Sequence, residues 1–129
     1  MAEKSVIRTD AAPGPNQGAP YSQAIRFGDF VFTAGQIALE PRTGRMIAGG
    51  IREQTERVLL NLRAILEAAG SGMDKLVKAT VYLTSRDDWA AMNEVYVQHV
   101  GPHPPARTVV EVRRLAPGAI VEIDAIAHL

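Results

Sequence analysis

Apolar residues in the middle of the chain are spaced for one long helix. With Thr55 among them, they repeat at helical spacing, at Ile51, Thr55, Val58, Leu59, Leu62, Ile65, Leu66 and Ala69. This period places them along one face of an α-helix, and Gly70 stands where a left-handed residue ends such a helix. We therefore expect a helix from Ile51 to about Gly70.

A different pattern follows from Leu76 to Thr84, where apolar and polar residues alternate. Alternation is typical of a β-strand with one buried face, here formed by Val77, Ala79, Val81 and Leu83. Ser85 and Asp88 then resemble a capping box at the start of a second helix. Its buried stripe is predicted to contain Trp89, Met92, Val95 and Tyr96, and prolines from position 102 onward end it.

The remaining apolar segments predict five more strands. Ser5–Thr9 is a short strand, Ala24–Phe27 and Phe30–Thr33 form a hairpin around Gly28 and Asp29, and two strands open near Pro105 and Val121. The order β-β-β-α-β-α-β-β predicts an α+β fold in one domain spanning residues 1–129. Two helices then pack on one face of a mixed six-stranded sheet.

The other face of that sheet has no helix to cover it. It carries Thr80 and Tyr82, and either Thr108, Val110 and Val112 or Val109, Glu111 and Arg113, depending on the register. Such a face is too apolar for water and too polar for a core. We therefore expect a homo-oligomer with sites at its interfaces.

Composition narrows the possible functions. The 129 residues include 14 basic and 14 acidic side chains, so no net field attracts nucleic acid or an anionic membrane. No apolar run is long enough to span a bilayer, and no signal peptide is evident, which predicts a cytoplasmic protein. Without cysteine, thiolate chemistry is excluded and reactive groups must be oxygen or nitrogen.

Two charged residues open the last two strands and are candidate site residues. Arg107 and Glu122 lie where half-buried β-segments begin, and a core does not place charges there without a use. From the residues alone, a structural ion pair or solvated strand ends are also possible. His99 and His103 have a spacing compatible with zinc, but the prolines beside His103 disfavour a helix there. We predict no metal site.

Several short motifs, in order along the chain, resemble the Rid family, formerly called YjgF. They are Ala19-Pro20-Tyr21-Ser22-Gln23-Ala24, Thr33-Ala34-Gly35-Gln36-Ile37, Gln54, Asn61-Leu62, Asn93 with Tyr96, Pro105-Ala106-Arg107 and Val121-Glu122-Ile123. The resemblance runs nearly end to end, and the most similar subgroup is the RidA-like enamine/imine deaminases. It implies a chorismate-mutase-like fold and a homotrimer with three intersubunit clefts.

The resemblance also implies a reaction. RidA-like proteins hydrolyse reactive 2-imino acids, such as 2-iminopropanoate and 2-iminobutanoate, to 2-keto acids and ammonia without a cofactor. The imino acids arise from enamines released by pyridoxal-phosphate dehydratases. By this resemblance Arg107 would clamp the substrate carboxylate with two parallel hydrogen bonds, and Glu122 would position and activate the attacking water.

The resemblance assigns four further residues to substrate binding. The backbone of Gly35 and the carbonyl of Val109 would hold the imino nitrogen and the water, Tyr21 would line the cleft, and Asn93 would contribute from a facing element. Tyr21 and Asn93 also have purely structural interpretations. Many relatives carry cysteine where this chain has Val109, serine where it has Ala34 and glycine where it has Ala19, which leaves substrate preference open.

Two other functions are compatible with the same residues. One is a regulatory module that binds small carboxylates through Arg107 without turnover. Glu122 disfavours it, because a second carboxylate repels an anionic ligand. The other is an endoribonuclease, which the balanced charge and the aromatic content of 5% disfavour.

Overall fold

The structure is a computed structural model that describes residues 3–129. Its six strands are β1 (Ser5–Ile7), β2 (Ala24–Phe27), β3 (Phe30–Thr33), β4 (Leu76–Leu83), β5 (Ala106–Glu111) and β6 (Val121–His128). Its two α-helices are α1 (Ile51–Ala68) and α2 (Trp89–Val100). The α+β element order predicted from the hydrophobic pattern is therefore confirmed.

All six strands form one mixed sheet in the order β1-β2-β3-β6-β4-β5. Among these strands only β4 and β5 pair in parallel. The connection through α2 brings the chain back to the end of the sheet where β4 begins, so β5 runs in the same direction as β4. The β2–β3 hairpin turns at Gly28, whose φ of 60° lies in the left-handed region. The sheet therefore places β6, with Glu122, between β3 and β4, and places β5, with Arg107, at an edge.

Both helices pack on one face of the sheet and form the core with it. The largest fully buried side chains come from α1, α2 and the central strands, and include Leu59, Leu62, Ile65, Leu66, Leu83, Met92 and Ile123. Gly70 has a φ of 85° and directly follows the last turn of α1, as the sequence predicted. None of the described residues form a helix long and apolar enough to cross a membrane.

The structure corrects three details of the sequence predictions, two on buried positions and one on a helix cap. Trp89 is 51% exposed, because α2 begins at this residue and its buried stripe starts at Met92. Val77 is 41% exposed, since the β4–β6 pairing shifts register between Leu76 and Lys78. The Ser85 side chain accepts the Asp87 N–H, so it caps a short 3-10 turn rather than α2 itself.

The sheet face opposite the helices, which we call the open face, is largely apolar and exposed. In the β4–β5 register Thr80 pairs with Thr108 and Tyr82 with Val110, which decides between the two predicted sets. The exposed apolar residues that share this face are Val6, Phe27, Phe30, Phe32 and Val110. Several exposed apolar side chains on one sheet face indicate an interaction site.

A buried glutamine anchors the N-terminal loop to the sheet. The Gln23 side chain accepts the Thr9 N–H at 2.8 Å and donates to the carbonyls of Thr9, Ala12 and Pro13. The Thr9 N–H is thereby removed from strand pairing, which explains why β1 ends at Ile7 and not at the predicted Thr9. The Gln23 side-chain amide thus takes the place of strand-to-strand hydrogen bonds for the backbone of the N-terminal loop.

Replacing Gln23 by alanine is expected to lower the free energy of unfolding by about 2–4 kcal/mol, because it leaves several buried backbone groups unpaired. Urea denaturation at fixed protein concentration measures the loss. Gln98→Ala, on an exposed part of α2, is the matched control and should change stability by less than about 0.5 kcal/mol. Equal losses in the two variants would contradict the anchoring role of Gln23.

Candidate functional site

Glu122 is half-buried on the open face, where it meets the loop that follows β3. Gln36 and Ile123 exchange both backbone N–H···O hydrogen bonds, at 2.9 and 3.1 Å, which fixes residues 34–37 against β6. This bridge places Gly35 against the Glu122 carboxylate so closely that a methyl group on Gly35 would overlap Oε2. Any side chain at position 35 would therefore force the Glu122 carboxylate out of its present position.

A cavity of about 380 Å³ opens beside Glu122. Among the residues that line it are Tyr21, Ala34, Gly35, Ile37, Ala116 and Glu122. The Tyr21 hydroxyl accepts the Asn16 N–H at 2.7 Å, which holds the N-terminal loop over the cavity. Three predicted site residues, Tyr21, Gly35 and Glu122, thus come together, and we call them the carboxylate half-site.

The carboxylate half-site favours the protonated form of Glu122. Burial raises the pKa of Glu122 above its ordinary value, and the neighbouring Asp124 raises it further. Asp124 itself accepts a hydrogen bond from the Tyr82 hydroxyl at 2.9 Å, and this bond is the largest cause of the raised pKa of Tyr82. A carboxyl whose pKa lies above its ordinary value is a stronger base when ionised.

Arg107 lies on the other side of the sheet. It pairs with Ala79, which is buried against the helices, so its side chain points to the helix face. There its guanidinium carbon lies 4.7 Å from the centre of the Tyr96 ring of α2, a cation–π contact. Burial raises the pKa of Tyr96, and Arg107 opposes that rise.

Two polar atoms of α2, on the same side of the sheet as Arg107, have no partner in the described part of the chain. The Asn93 Oδ1 and the Tyr96 hydroxyl are both buried without a hydrogen-bond partner within residues 3–129. Val112 donates its N–H to Leu83, and backbone groups alternate sides along a strand, so Val109 turns its carbonyl to the open edge of β5. We call Arg107, Asn93, Tyr96 and Val109 the arginine half-site.

The structure therefore divides the six predicted site residues into two groups. Tyr21, Gly35 and Glu122 lie together on one side, whereas Arg107, Asn93 and Val109 lie on the other. Sequence reasoning overlooked Tyr96, Tyr82 and Asp124 as site residues. The alternation along β6 puts Asp124 beside Glu122, a signal available in the sequence, but the contact of Tyr96 with Arg107 depends on how α2 packs.

The histidines do not form a metal centre. The His99 Nε2 lies 2.8 Å from Glu56 Oε2, and its Nδ1 lies 3.4 Å from an Arg63 nitrogen, which ties α2 to α1. Within residues 3–129 there is no group of three or more histidine, cysteine, aspartate or glutamate side chains that could hold a metal ion.

The sequence is similar to a known protein family over almost its whole length. The sequence profile of the family described as "Endoribonuclease L-PSP" matches residues 10–129. A RutC family protein of Pyrococcus abyssi is 50% identical over 125 residues, covering 97% of both chains. The 2-iminobutanoate/2-iminopropanoate deaminase of Homo sapiens is 37% identical over 124 residues, covering 96% of this chain and 89% of that protein.

Solved structures show the same architecture. The crystal structure of RidA from an Antarctic Psychrobacter bacterium superimposes with a TM-score of 0.92 at 38% identity and covers 97% of this chain and 99% of that one. Similarity of this extent shows that the chain shares this α+β fold.

Replacing Gly35 by alanine is expected to displace the Glu122 carboxylate, because the new methyl group overlaps Oε2. A crystal structure of the variant should show Glu122 in another rotamer, with Tm lowered by a few degrees. The matched control is Gly14→Ala, which lines the same cavity and has open space for a methyl group. An unmoved Glu122 in Gly35→Ala would refute the steric assignment.

Proposed function

The chain belongs to the endoribonuclease L-PSP family, also known as YjgF, RutC or Rid, and from this membership and the two half-sites we propose that it hydrolyses reactive 2-imino acids to 2-keto acids and ammonia. The substrates are small imino acids of the 2-iminobutanoate and 2-iminopropanoate type, which relatives at 36% and 37% identity carry in their names. No cofactor is needed, since an imine carbon is already electrophilic.

One observation supports the proposal most strongly. Arg107 and Glu122 face opposite sides of the same sheet, so one copy of the chain cannot present both to one small substrate. A second copy packed on the open face brings its own arginine half-site to the carboxylate half-site of the first. Such an assembly also covers the exposed apolar residues of that face. We propose a homotrimer with three such clefts.

The arginine half-site binds the substrate in this proposal. The planar Arg107 guanidinium donates two parallel hydrogen bonds to the substrate carboxylate and is kept in one orientation by the Tyr96 ring beneath it. The outward Val109 carbonyl is the acceptor for the imino N–H and for water. The Asn93 Oδ1 is buried, so Asn93 must change its side-chain conformation to contact the substrate. Binding thereby fixes the imine carbon relative to the partner's carboxylate half-site.

The carboxylate half-site carries out the proton transfers. Ionised Glu122 takes a proton from water as the water oxygen forms a bond to the imine carbon, and the C=N electron pair moves to nitrogen. The protonated Glu122 then returns that proton to nitrogen. This gives a neutral carbinolamine and ionised Glu122. Glu122 then takes the carbinol O–H proton and passes it to the amino nitrogen, the C–N electron pair leaves with nitrogen as ammonia, and the oxygen electron pair forms the C=O bond. Water and imino acid thus yield keto acid and ammonia, and Glu122 is regenerated.

The presence of Glu122 argues against a site that only binds carboxylates. An anionic ligand next to a second carboxylate is repelled, and a binding module gains nothing from keeping one there. The family description also names an endoribonuclease activity. With 14 basic and 14 acidic residues the chain lacks the excess positive charge that an RNA groove needs.

In an assay coupled to a threonine or serine dehydratase, the wild-type protein is expected to accelerate keto-acid release. Arg107→Ala should lower kcat/KM by at least about 100-fold through loss of two charged hydrogen bonds. Glu122→Gln should lower kcat by about 100- to 10,000-fold through loss of the general base.

The controls are Arg45→Ala and Glu67→Gln, which remove the same charges from exposed positions and should leave the rate unchanged. No acceleration by the wild type, with keto acids still binding through Arg107, would identify a carboxylate-binding module instead. Cleavage of RNA that survives in Glu122→Gln would assign a ribonuclease that does not use this site.

Mixing the two inactive variants tests the shared cleft. When Arg107→Ala and Glu122→Gln chains are unfolded and refolded together in equal amounts, about one quarter of the clefts receive an intact arginine from one chain and an intact glutamate from the next. We expect about a quarter of the wild-type rate, and light scattering should give the mass of three chains. A mixture that assembles but stays inactive would refute a cleft shared between chains.

A further inference from the structure

The open face places two carboxyl groups side by side, and only one of them has a task in the proposed reaction. Glu122 and Asp124 are two residues apart on β6, so both point to this face with Cα atoms about 7 Å apart. Like charges at this separation repel and destabilise the fold. A second carboxylate beside the cavity therefore needs an explanation.

The hydrogen bonding of Asp124 shows that it is held in place. In the β4–β6 register Tyr82 stands opposite Glu122, but its hydroxyl reaches diagonally and donates to Asp124 Oδ2 at 2.9 Å. Tyr82 therefore supports the acid next to Glu122, not Glu122 itself. A phenol that donates to a carboxylate restricts its orientation, so the Asp124 side chain is held beside Glu122.

We propose that Asp124, held by the Tyr82 hydroxyl, is a positioning residue that enables Glu122 both to take a proton from water and to return it to the leaving nitrogen. This role rests on the proposed imine hydrolysis and deepens it. Neither Asp124 nor Tyr82 contacts the substrate. Both act through Glu122.

The physical reason is the double duty of Glu122. Imine hydrolysis needs a base in its first step and an acid in its next, and one carboxyl serves both best when its pKa lies close to the working pH. Burial raises the pKa of Glu122, and the charge on Asp124 raises it further. Without Asp124 the carboxylate would be a weaker base towards water.

Within one copy of the chain, other charged groups on this side of the sheet do not cancel the effect. On β4, the Lys78 ammonium donates to Thr108 at 2.7 Å, toward β5 and away from β6. The loop after β3 presents the backbone of Gly35, and the N-terminal loop presents the uncharged Tyr21. Within β6, Asp124 is therefore the charged side chain nearest to Glu122.

The first measurement is a carbon NMR titration of the Glu122 side-chain carboxyl, which requires no substrate. Asp124→Asn keeps an acceptor for Tyr82 but removes the charge, and should lower the pKa of Glu122. Tyr82→Phe leaves Asp124 unsupported and should lower it by a smaller amount. The matched control, Asp29→Asn, removes a carboxylate from the β2–β3 turn, which lies about 20 Å along β6 from Glu122, and should leave the pKa of Glu122 unchanged.

The pH dependence of hydrolysis then connects the titration to the reaction. Because the base must be ionised, a lower pKa moves the acid limb of the kcat/KM profile to lower pH. At neutral pH, kcat should fall by about 3- to 10-fold, since a weaker base transfers the proton more slowly. KM should change little, because substrate binding depends on Arg107. Tyr82→Phe combined with Asp124→Asn should give no further shift than Asp124→Asn alone.

The outcomes separate the two proposals. A Glu122 pKa that does not move in Asp124→Asn would overturn the role of Asp124, whatever the enzyme hydrolyses. If the wild-type protein hydrolyses no imine but the pKa of Glu122 is still lower in Asp124→Asn, the proposed reaction is overturned. The coupling of the two carboxyls then remains in place. If Asp124→Asn does not fold, an unchanged Glu122 titration in Tyr82→Phe would equally overturn the proposal.

Discussion

The register of β4 between its two neighbours decides on which side of the sheet each functional side chain lies. Ala79, Val81 and Leu83 pack against the helices, so the residues that pair with them on β5 and β6 share the buried side. This rule puts Arg107 on the helix face and Glu122 on the open face. A shift of one residue would exchange their sides. The core that fixes the register therefore also fixes the chemistry.

The two half-sites gain their properties from different neighbours. Around Arg107 the helix face supplies the Tyr96 ring, which holds the guanidinium in one orientation, and the guanidinium itself provides the N–H donors for a carboxylate. Around Glu122 the open face supplies burial and a second carboxylate, an environment that favours proton exchange. Each half-site is incomplete as a catalyst, and each provides what the other lacks.

The sequence predicted the α+β order, the long helix and its Gly70 end, because these depend on local periodicity and backbone sterics. It did not predict that Trp89 is exposed or that Val77 leaves the apolar face, since both depend on a helix start and a register shift set by tertiary packing. Arg107 and Glu122 were identified as unusual charges, but their separation by the sheet required the strand pairing. The cation–π contact of Tyr96 depends on how α2 crosses β5, which no local pattern encodes.

Separation of Arg107 from Glu122 has a physical advantage in the proposed assembly. If both charges lay on one face within reach of each other, they would form an ion pair that satisfies the guanidinium and lowers the pKa of the glutamate. The substrate carboxylate would then have to displace Glu122 before it could bind. With the two side chains on opposite faces of the sheet, they cannot form an ion pair within one folded chain. They meet only across a subunit boundary, where the cleft can keep them one substrate apart.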